Sequence, residues 1–227
     1  MGTVIIQEHT TKNPITMIGE QAGICWGANI SNKEKNYKRG IECLNNKHGR
    51  TFEFPDVYAI IDGYSARVIR EWYTHIGGSP TRLQASTRYI DYNNFEYVIP
   101  KSIKEKASAK SIYKNMMNHI KMSLLALEEM KIPREDIAMG LPLGMCTKIT
   151  DKRNLRNLID MSRQRMCNRA YWGYRELFKD YCNALKDYSE EWKYLVDNYF
   201  KPKCEEYGYC EEKFSCGRKE RRIDNEN

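Results

Sequence analysis

Residues 70–89 read REWYTHIGGSPTRLQASTRY, and the fold turns on this stretch. Its first part has helical apolar spacing: Ser65 is a suitable N-cap for a helix over Ala66–Thr74, which Gly77-Gly78 would stop. From Gly77 to Thr87 the chain is rich in Gly, Ser, Thr and Pro, which predicts a loop. Glycines let backbone N–H groups approach a phosphate or a ring system, and Arg82 and Arg88 add forked donors for anions. Gln84 suits the polar edge of a base. The competing reading is a surface loop with solvated arginines.

A second stretch, KRNLRNLIDMSRQR over 152–165, is crowded with cations. On a helix Asn154, Leu158, Met161 and Arg165 share roughly one face, and Arg156, Asp160 and Arg163 another. A solvated basic helix or a DNA-recognition helix would show the same pattern.

Around these stretches the chain alternates helix and strand signals. Ile15–Trp26 and Lys33–Asn46 carry helical spacing. Phe52–Ile61 alternates as strands do, and Asp62-Gly63 marks a turn. Tyr89–Asp91 and Glu96–Ile99 are candidate short strands. Lys104–Met130 reads as one long amphipathic helix with Ile112, Met116, His119, Ile120 and Leu124 near one face; His119 belongs there to a core or an interface. Pro133 opens a short helix over Arg134–Ala138, Leu141–Ile149 is apolar enough for a strand, and Asn154–Met166 and Ala170–Tyr199 read as two helices. Without a βαβ rhythm this is an α+β chain. One domain over residues 1–199 and a basic, cysteine-containing tail over 200–227 are expected, the tail as a frayed end.

With 227 residues, 41% of them apolar, the chain can bury a core. No run is long and apolar enough to span a membrane, and Met1–Lys12 lacks an apolar signal core, so a soluble cytoplasmic protein is expected. The net charge of +7 points to an anionic partner. Eight cysteines without a signal peptide predict reduced thiols. Cys204, Cys210 and Cys216 recur in the tail, but more widely spaced than usual metal ligands and with no adjacent fourth ligand, so no metal is expected. Dinucleotide fingerprints, P-loops, HExxH and GxSxG elbows are missing.

The stretch 70–89 resembles the signature region of flavin-dependent thymidylate synthases, a helix ending in Arg-His-Arg and then a loop closing in Ser-x-Arg-Tyr. Here the histidine is His75 and the close is Ser86-Thr87-Arg88-Tyr89. Three more blocks follow the family's order. Lys47-His48-Gly49-Arg50-Thr51-Phe52-Glu53-Phe54 is similar to its Gly-His-x-(Ser/Thr)-x-x-Glu-His block, Leu141-Pro142-Leu143 to its Leu-Pro-Leu strand, and Asn154–Trp172 to its last helix pair. The resemblance covers about residues 3 to 190.

It implies a homotetramer with shared active sites and a mixed sheet with long helices. The implied activity is a methyltransferase reaction making dTMP from dUMP, with methylenetetrahydrofolate as carbon donor and FAD and NADPH as hydride source. Cys25, His48, Arg50, His75, Ile76, Asn154, Arg156, Asp160 and Arg169 fall where the family holds FAD. Glu71, Gln84, Ala85, Ser86, Thr87, Arg88 and Arg165 fall where it holds dUMP. Arg165 and Ser86 lie nearest the chemistry, Arg165 to stabilise charge on the pyrimidine and Ser86 for binding rather than nucleophilic attack. Tyr171, Trp172 and Tyr174 are expected to pack.

The chain departs from the pattern at Phe54, Thr74, Ile76, Gln84, Ala138 and Arg169, and its signature loop is longer. Arg82 is expected to replace a lost cation at a phosphate of dUMP or FAD. The rival readings are a sister enzyme adding another one-carbon group, such as hydroxymethyl, and a non-catalytic nucleic-acid-binding protein. Nucleic acid is not the expected partner.

Overall fold

The computed structural model describes residues 2–222, so the last five residues of the expected 200–227 tail lie outside the described residues. Four strands, β1 (Thr3–Ile6), β2 (Asp56–Ser65), β3 (Thr81–Gln84) and β4 (Cys146–Asn154), form a sheet in the order β1-β2-β4-β3. Ten helices accompany them among the described residues. They are α1 (Pro14–Cys25), α2 (Lys33–Asn45), α3 (Ala66–Trp72), α4 (Lys101–Lys104), α5 (Ala107–Glu129), α6 (Arg134–Ile137), α7 (Leu155–Arg165), α8 (Trp172–Tyr188), α9 (Glu190–Tyr199) and α10 (Lys203–Tyr207). The α+β class stands.

The central pairings are antiparallel. Gln7 N–H donates to Tyr58 C=O and Thr11 N–H to Asp56 C=O, so one number rises as the other falls. Likewise Leu155 N–H meets Pro55 C=O and Ala66 N–H meets Met145 C=O. In β2 the inward residues Val57, Ala59 and Ile61 are buried, as period two requires.

The chain divides into two compact units. One gathers Ile61–Tyr73 and Arg82–Thr150 with the start of the chain; the other takes Val4–Ile60, Thr74–Thr81 and the chain from Asp151. In the first unit Phe95, Met117, Leu124, Ile137 and Met145 form a buried cluster. Tyr113, Met117, Ile120 and Leu124 are the α5 face turned to it, with the Tyr113 hydroxyl donating to Val98 C=O at 3.1 Å. Ile120 and Leu124 are on the expected face, while in the first half of the helix Tyr113 and Met117 take the inward positions expected of Ile112 and Met116. Ile112 and Met116 point out, and His119 is exposed rather than in a core.

In the second unit α1 and α2 pack closely, and the buried apolar residues of α7, α8 and α9 include Leu158, Met161, Leu177, Phe178, Trp192 and Leu195. Helix α1 has no side-chain cap of its own. Glu191 of α9 supplies one, accepting from Ile15 N–H at 2.6 Å, Thr16 N–H at 2.9 Å and the Thr16 hydroxyl at 2.5 Å. A carboxylate there satisfies orphan donors and complements the helix dipole.

Several expectations are corrected. Strand β2 runs straight through Asp62-Gly63, and no turn forms there. Part of the 77–87 loop is strand β3, which zips onto β4 through Ala85 N–H and Lys148 C=O at 2.9 Å. Tyr89–Asp91 is not a strand, and of 96–99 only Tyr97 makes a bridge, to Met145. Leu141–Leu143 precedes β4 as a turn segment, because Pro142 has no N–H to give a ladder. Ala170–Tyr199 is two helices, broken at the extended Ser189, whose hydroxyl caps α9. Up to residue 222 the tail is not frayed: α10 packs on its own unit through Glu206, and the Arg218 guanidinium donates to Met166 C=O at 3.0 Å.

Glycine is required where α1 crosses α2. A Cβ on Gly40 would stand 2.0 Å from Ile15 O, and one on Gly19 1.7 Å from Asn36 O, both backbone atoms. Gly40→Ala is therefore expected to cost about 1–3 kcal/mol through overpacking, read as a lowered Cm in urea at unchanged m-value.

Candidate functional site

Strand β4 ends in alternation that places Asp151 and Arg153 on the same inward face, and both side chains are fully buried. Arg153 Nε donates to Asp151 Oδ2 at 2.6 Å. Its Nη1 reaches Asn157 Oδ1 at 2.7 Å and His75 C=O at 3.2 Å. Asn154 caps α7 by accepting from Asn157 N–H at 2.9 Å, and its Nδ2 donates to Gly78 C=O at 3.1 Å. Asn157 Nδ2 donates to Gly77 C=O at 2.6 Å. The segment His75–Gly78 is thus stitched along the start of α7. Gly78 has φ 74°, and a Cβ there would lie 2.7 Å from the Asn154 amide, so only glycine fits.

His75 is nearly buried. Burial first, then the charges of Arg165 and Arg153, lower its pKa to about 4, so the ring is neutral at pH 7. Its Nε2 accepts from Arg165 Nε at 2.8 Å. The Arg165 guanidinium also lies 4.7 Å above the Tyr174 ring, and Tyr174 meets His75 edge-on at 5.8 Å. Arg165 Nη2 is 3.4 Å from Thr74 Oγ1. A neutral imidazole, a fixed guanidinium and an aromatic wall hold one another in place.

Other residues expected at the flavin lie elsewhere in this unit. Ile76 is exposed beside His75. Arg156 pairs with Glu53, and Asp160 with Arg163 at 3.2 Å. His48 and Arg50 are exposed at a 3-10 helical turn, Gly49–Glu53. Cys25 is exposed at the end of α1. Arg169 donates to Phe214 C=O at 2.7 Å, so the tail engages it.

Apart from Arg165, which stands with His75, the residues expected at the nucleotide lie in the first unit. Glu71 lies in α3. Arg82 donates through Nη2 to Tyr73 C=O at 3.0 Å and stacks 4.2 Å above the Tyr73 ring, while its buried Nη1 has no hydrogen-bond partner among the described residues. Gln84 Nε2 reaches Thr147 Oγ1 at 3.3 Å. Ser86 turns the chain: its carbonyl accepts from Ile90 N–H at 3.1 Å and its Oγ from Arg88 N–H at 3.2 Å. Thr87 borders a small cleft with Tyr92 and Arg134. Arg88 pairs with Glu135 at 3.1 Å, both exposed.

The model of the family described as thymidylate synthase complementing protein matches residues 6–189. The chain belongs to that family. The flavin-dependent thymidylate synthase of Nitratidesulfovibrio vulgaris is 27% identical over 206 residues, 85% of this chain and 82% of that protein. The enzyme of the same name from Clostridium tetani is 25% identical, over 96% of this chain and 94% of its own. The crystal structure of the flavin-dependent thymidylate synthase of Helicobacter pylori complexed with FAD and dUMP has the same fold, with a TM-score of 0.69 at 18% identity, over 88% of this chain and all of that one.

Tyr174 packs as expected, fully buried against His75 and Arg165, whereas Arg153 and Asn157 join the His75 network although local reading passed over both. The signal for these two was present: Asp151-x-Arg153 at strand period, then Asn157 one helical turn beyond. Cys204, Cys210 and Cys216 are free thiols. Among the described residues no helix is long and apolar enough to cross a membrane.

The lowered pKa of His75 sets a pH dependence. Between about 4 and its ordinary 6.5, the unfolded chain binds a proton there and the folded chain does not. The stability tied to the neutral ring is present above pH 6.5 and is lost as pH falls toward 4. The stability gap between the native chain and His75→Gln should therefore narrow on going from pH 7 to pH 4.5 in urea unfolding. A gap that stays constant would show that the ring titrates normally.

Proposed function

We propose that this chain makes dTMP from dUMP, with methylenetetrahydrofolate as the carbon donor and FAD, reduced by NADPH, as the hydride source. The observation that carries the reading is the Arg165–His75 pair, set in the signature of a family matched over residues 6–189. The residues present fit a flavin nucleotide. A neutral His75 adds no charge beside a ring system, Arg50 and Arg156 are cations at the surface of the same unit, and the Cβ-free Gly78 keeps the backbone close to Asn154. Bound FAD supplies the hydride.

The protein's part is orientation and electrostatics. The His75 acceptor and the Tyr174 face hold the Arg165 guanidinium at one angle. It is suited to stabilise negative charge developing on the pyrimidine. Ser86 serves through the turn it closes, with Gln84, Ala85, Thr87, Arg88 and Glu71 completing the dUMP contacts. Arg82 meets a phosphate; its unpartnered Nη1 is the donor available for that contact. His48, Ile76, Asn154, Asp160, Arg169 and Cys25 complete the FAD contacts.

A homotetramer with shared sites accords with α5, which leaves Ile112, Met116, Met122 and Leu125 exposed on a single helix. Cytoplasmic residence follows from nucleotide metabolism and from reduced thiols.

The purified protein should be yellow and form dTMP only with FAD, NADPH and methylenetetrahydrofolate together, followed by chromatography and product mass. Arg165→Ala should lose about 10²–10³ in turnover with the flavin spectrum retained. Ser86→Ala should bind dUMP more weakly yet still turn over. Undiminished dTMP formation without flavin would remove the assignment.

A further inference from the structure

The segment after α9 does more than end the chain. It lies beyond the 6–189 stretch that the family model matches. Pro202 opens the five-residue helix α10, which carries Glu206 back onto the second unit. There Glu206 is held by two cations: Lys47 Nζ at 2.8 Å, and the Arg163 fork at 2.9 Å through Nε and 3.1 Å through Nη2. Its side chain is only 15% exposed. Burial raises its pKa, but the Lys47 and Arg163 hydrogen bonds and charges outweigh burial and leave it below the ordinary carboxylate value.

This ion cluster borders a cleft of about 450 Å³. Four cationic side chains line it, Lys47, Arg156, Arg163 and Lys201, against two carboxylates, Asp160 and Glu206. Gly49 and Phe52 form part of its wall. With Glu53, the partner of Arg156, counted in, four cations face three carboxylates, and one of those three comes from the terminal segment. A carboxylate bidentate on a guanidinium and bridged to an ammonium occupies the positions that two phosphate oxygens would take.

We propose that Lys47 and Arg163 form an anion site for a pyrophosphate-bearing nucleotide, and that Glu206 fills this site as an internal competitor until the ligand displaces it. A tethered carboxylate acts at high effective concentration but carries a single charge. A diphosphate brings more charge and adds Arg156 and Lys201, so it can win the exchange. Naming the nucleotide as FAD rests on the proposed function; the anion site itself does not. The tail then sets a threshold: cofactor must exceed the strap's effective concentration before the cleft opens.

The test uses the full chain and two probes, inorganic pyrophosphate and ADP, titrated calorimetrically, with FAD titrated separately by flavin fluorescence. Glu206→Gln keeps shape and removes charge, and should tighten pyrophosphate and ADP about tenfold, within the range for a charge-assisted hydrogen bond. Glu205→Gln, a strap residue 3.6 Å from Arg218, is the control and should bind as the native chain does. Lys47→Gln, with Glu206 intact, should weaken pyrophosphate, so the site is tested even if Glu206→Gln is unstable. Strap release has its own readout. Cys204, two residues before Glu206 and half-buried, should be alkylated faster when pyrophosphate is added to the native chain, with no further gain in Glu206→Gln. Unchanged or weaker binding in Glu206→Gln, or Cys204 reactivity indifferent to pyrophosphate, overturns the proposal. Pyrophosphate responding as expected while FAD fails to bind would leave the anion site standing and sink the flavin reading instead.

Discussion

The buried Arg153–Asp151 pair is the constraint from which the His75–Gly78 segment and the start of α7 take their places. Two opposite charges with no exposed surface are costly to desolvate, and they persist only when the remaining donors find partners. Arg153 meets that demand with Asn157 and with the backbone of His75, which come from α7 and from the loop after α3. The end of β4, the start of α7 and the signature segment are thereby fixed to one guanidinium. Removing one member of such a pair would strand the other, at about 3–5 kcal/mol, whereas a surface pair such as Arg88–Glu135 contributes on the order of 1 kcal/mol or less. The position of His75 is therefore a property of the core.

Much of this architecture is legible in the amino-acid order. Helices α1, α2 and α7 and the Ser65 cap follow from apolar spacing and capping chemistry, and the observed bounds differ little from those the spacing predicts. The errors share a cause. Strand β3 looks like loop because Thr81–Gln84 is polar and largely exposed, and only its partner β4 makes it a strand. In the first half of α5 the expected face is missed because Tyr113, half polar, wins the inward position over Ile112 through its hydroxyl bond to Val98. Strand β2 continues through Asp62-Gly63 because β4 lies alongside, with Lys148 paired to Asp62 at 2.6 Å. Each miss is a place where a partner distant in sequence overrides a local preference.

The site divides in the same way. His75, Asn154 and Arg165 stand out as residue types in a recognisable order, but what makes His75 neutral does not. Thr74 and Ile76 leave the ring with no cation among its chain neighbours. Its electrostatics come instead from Arg165, 90 positions away, and from Arg153, whose bond to the His75 carbonyl spans 78. Burial is the larger cause of the lowered pKa and is itself a tertiary effect. A cation adjacent in sequence would act on the imidazole even in a loosely formed loop. Cations arriving from β4 and α7 act only when the core has closed, so between about pH 4 and 6.5 the protonation state of the signature histidine follows folding. That coupling suits a site whose chemistry is carried by bound molecules. Burial and the cations from β4 and α7 keep the His75 ring, which accepts from Arg165, uncharged down to about pH 4, where an unfolded chain would carry a proton.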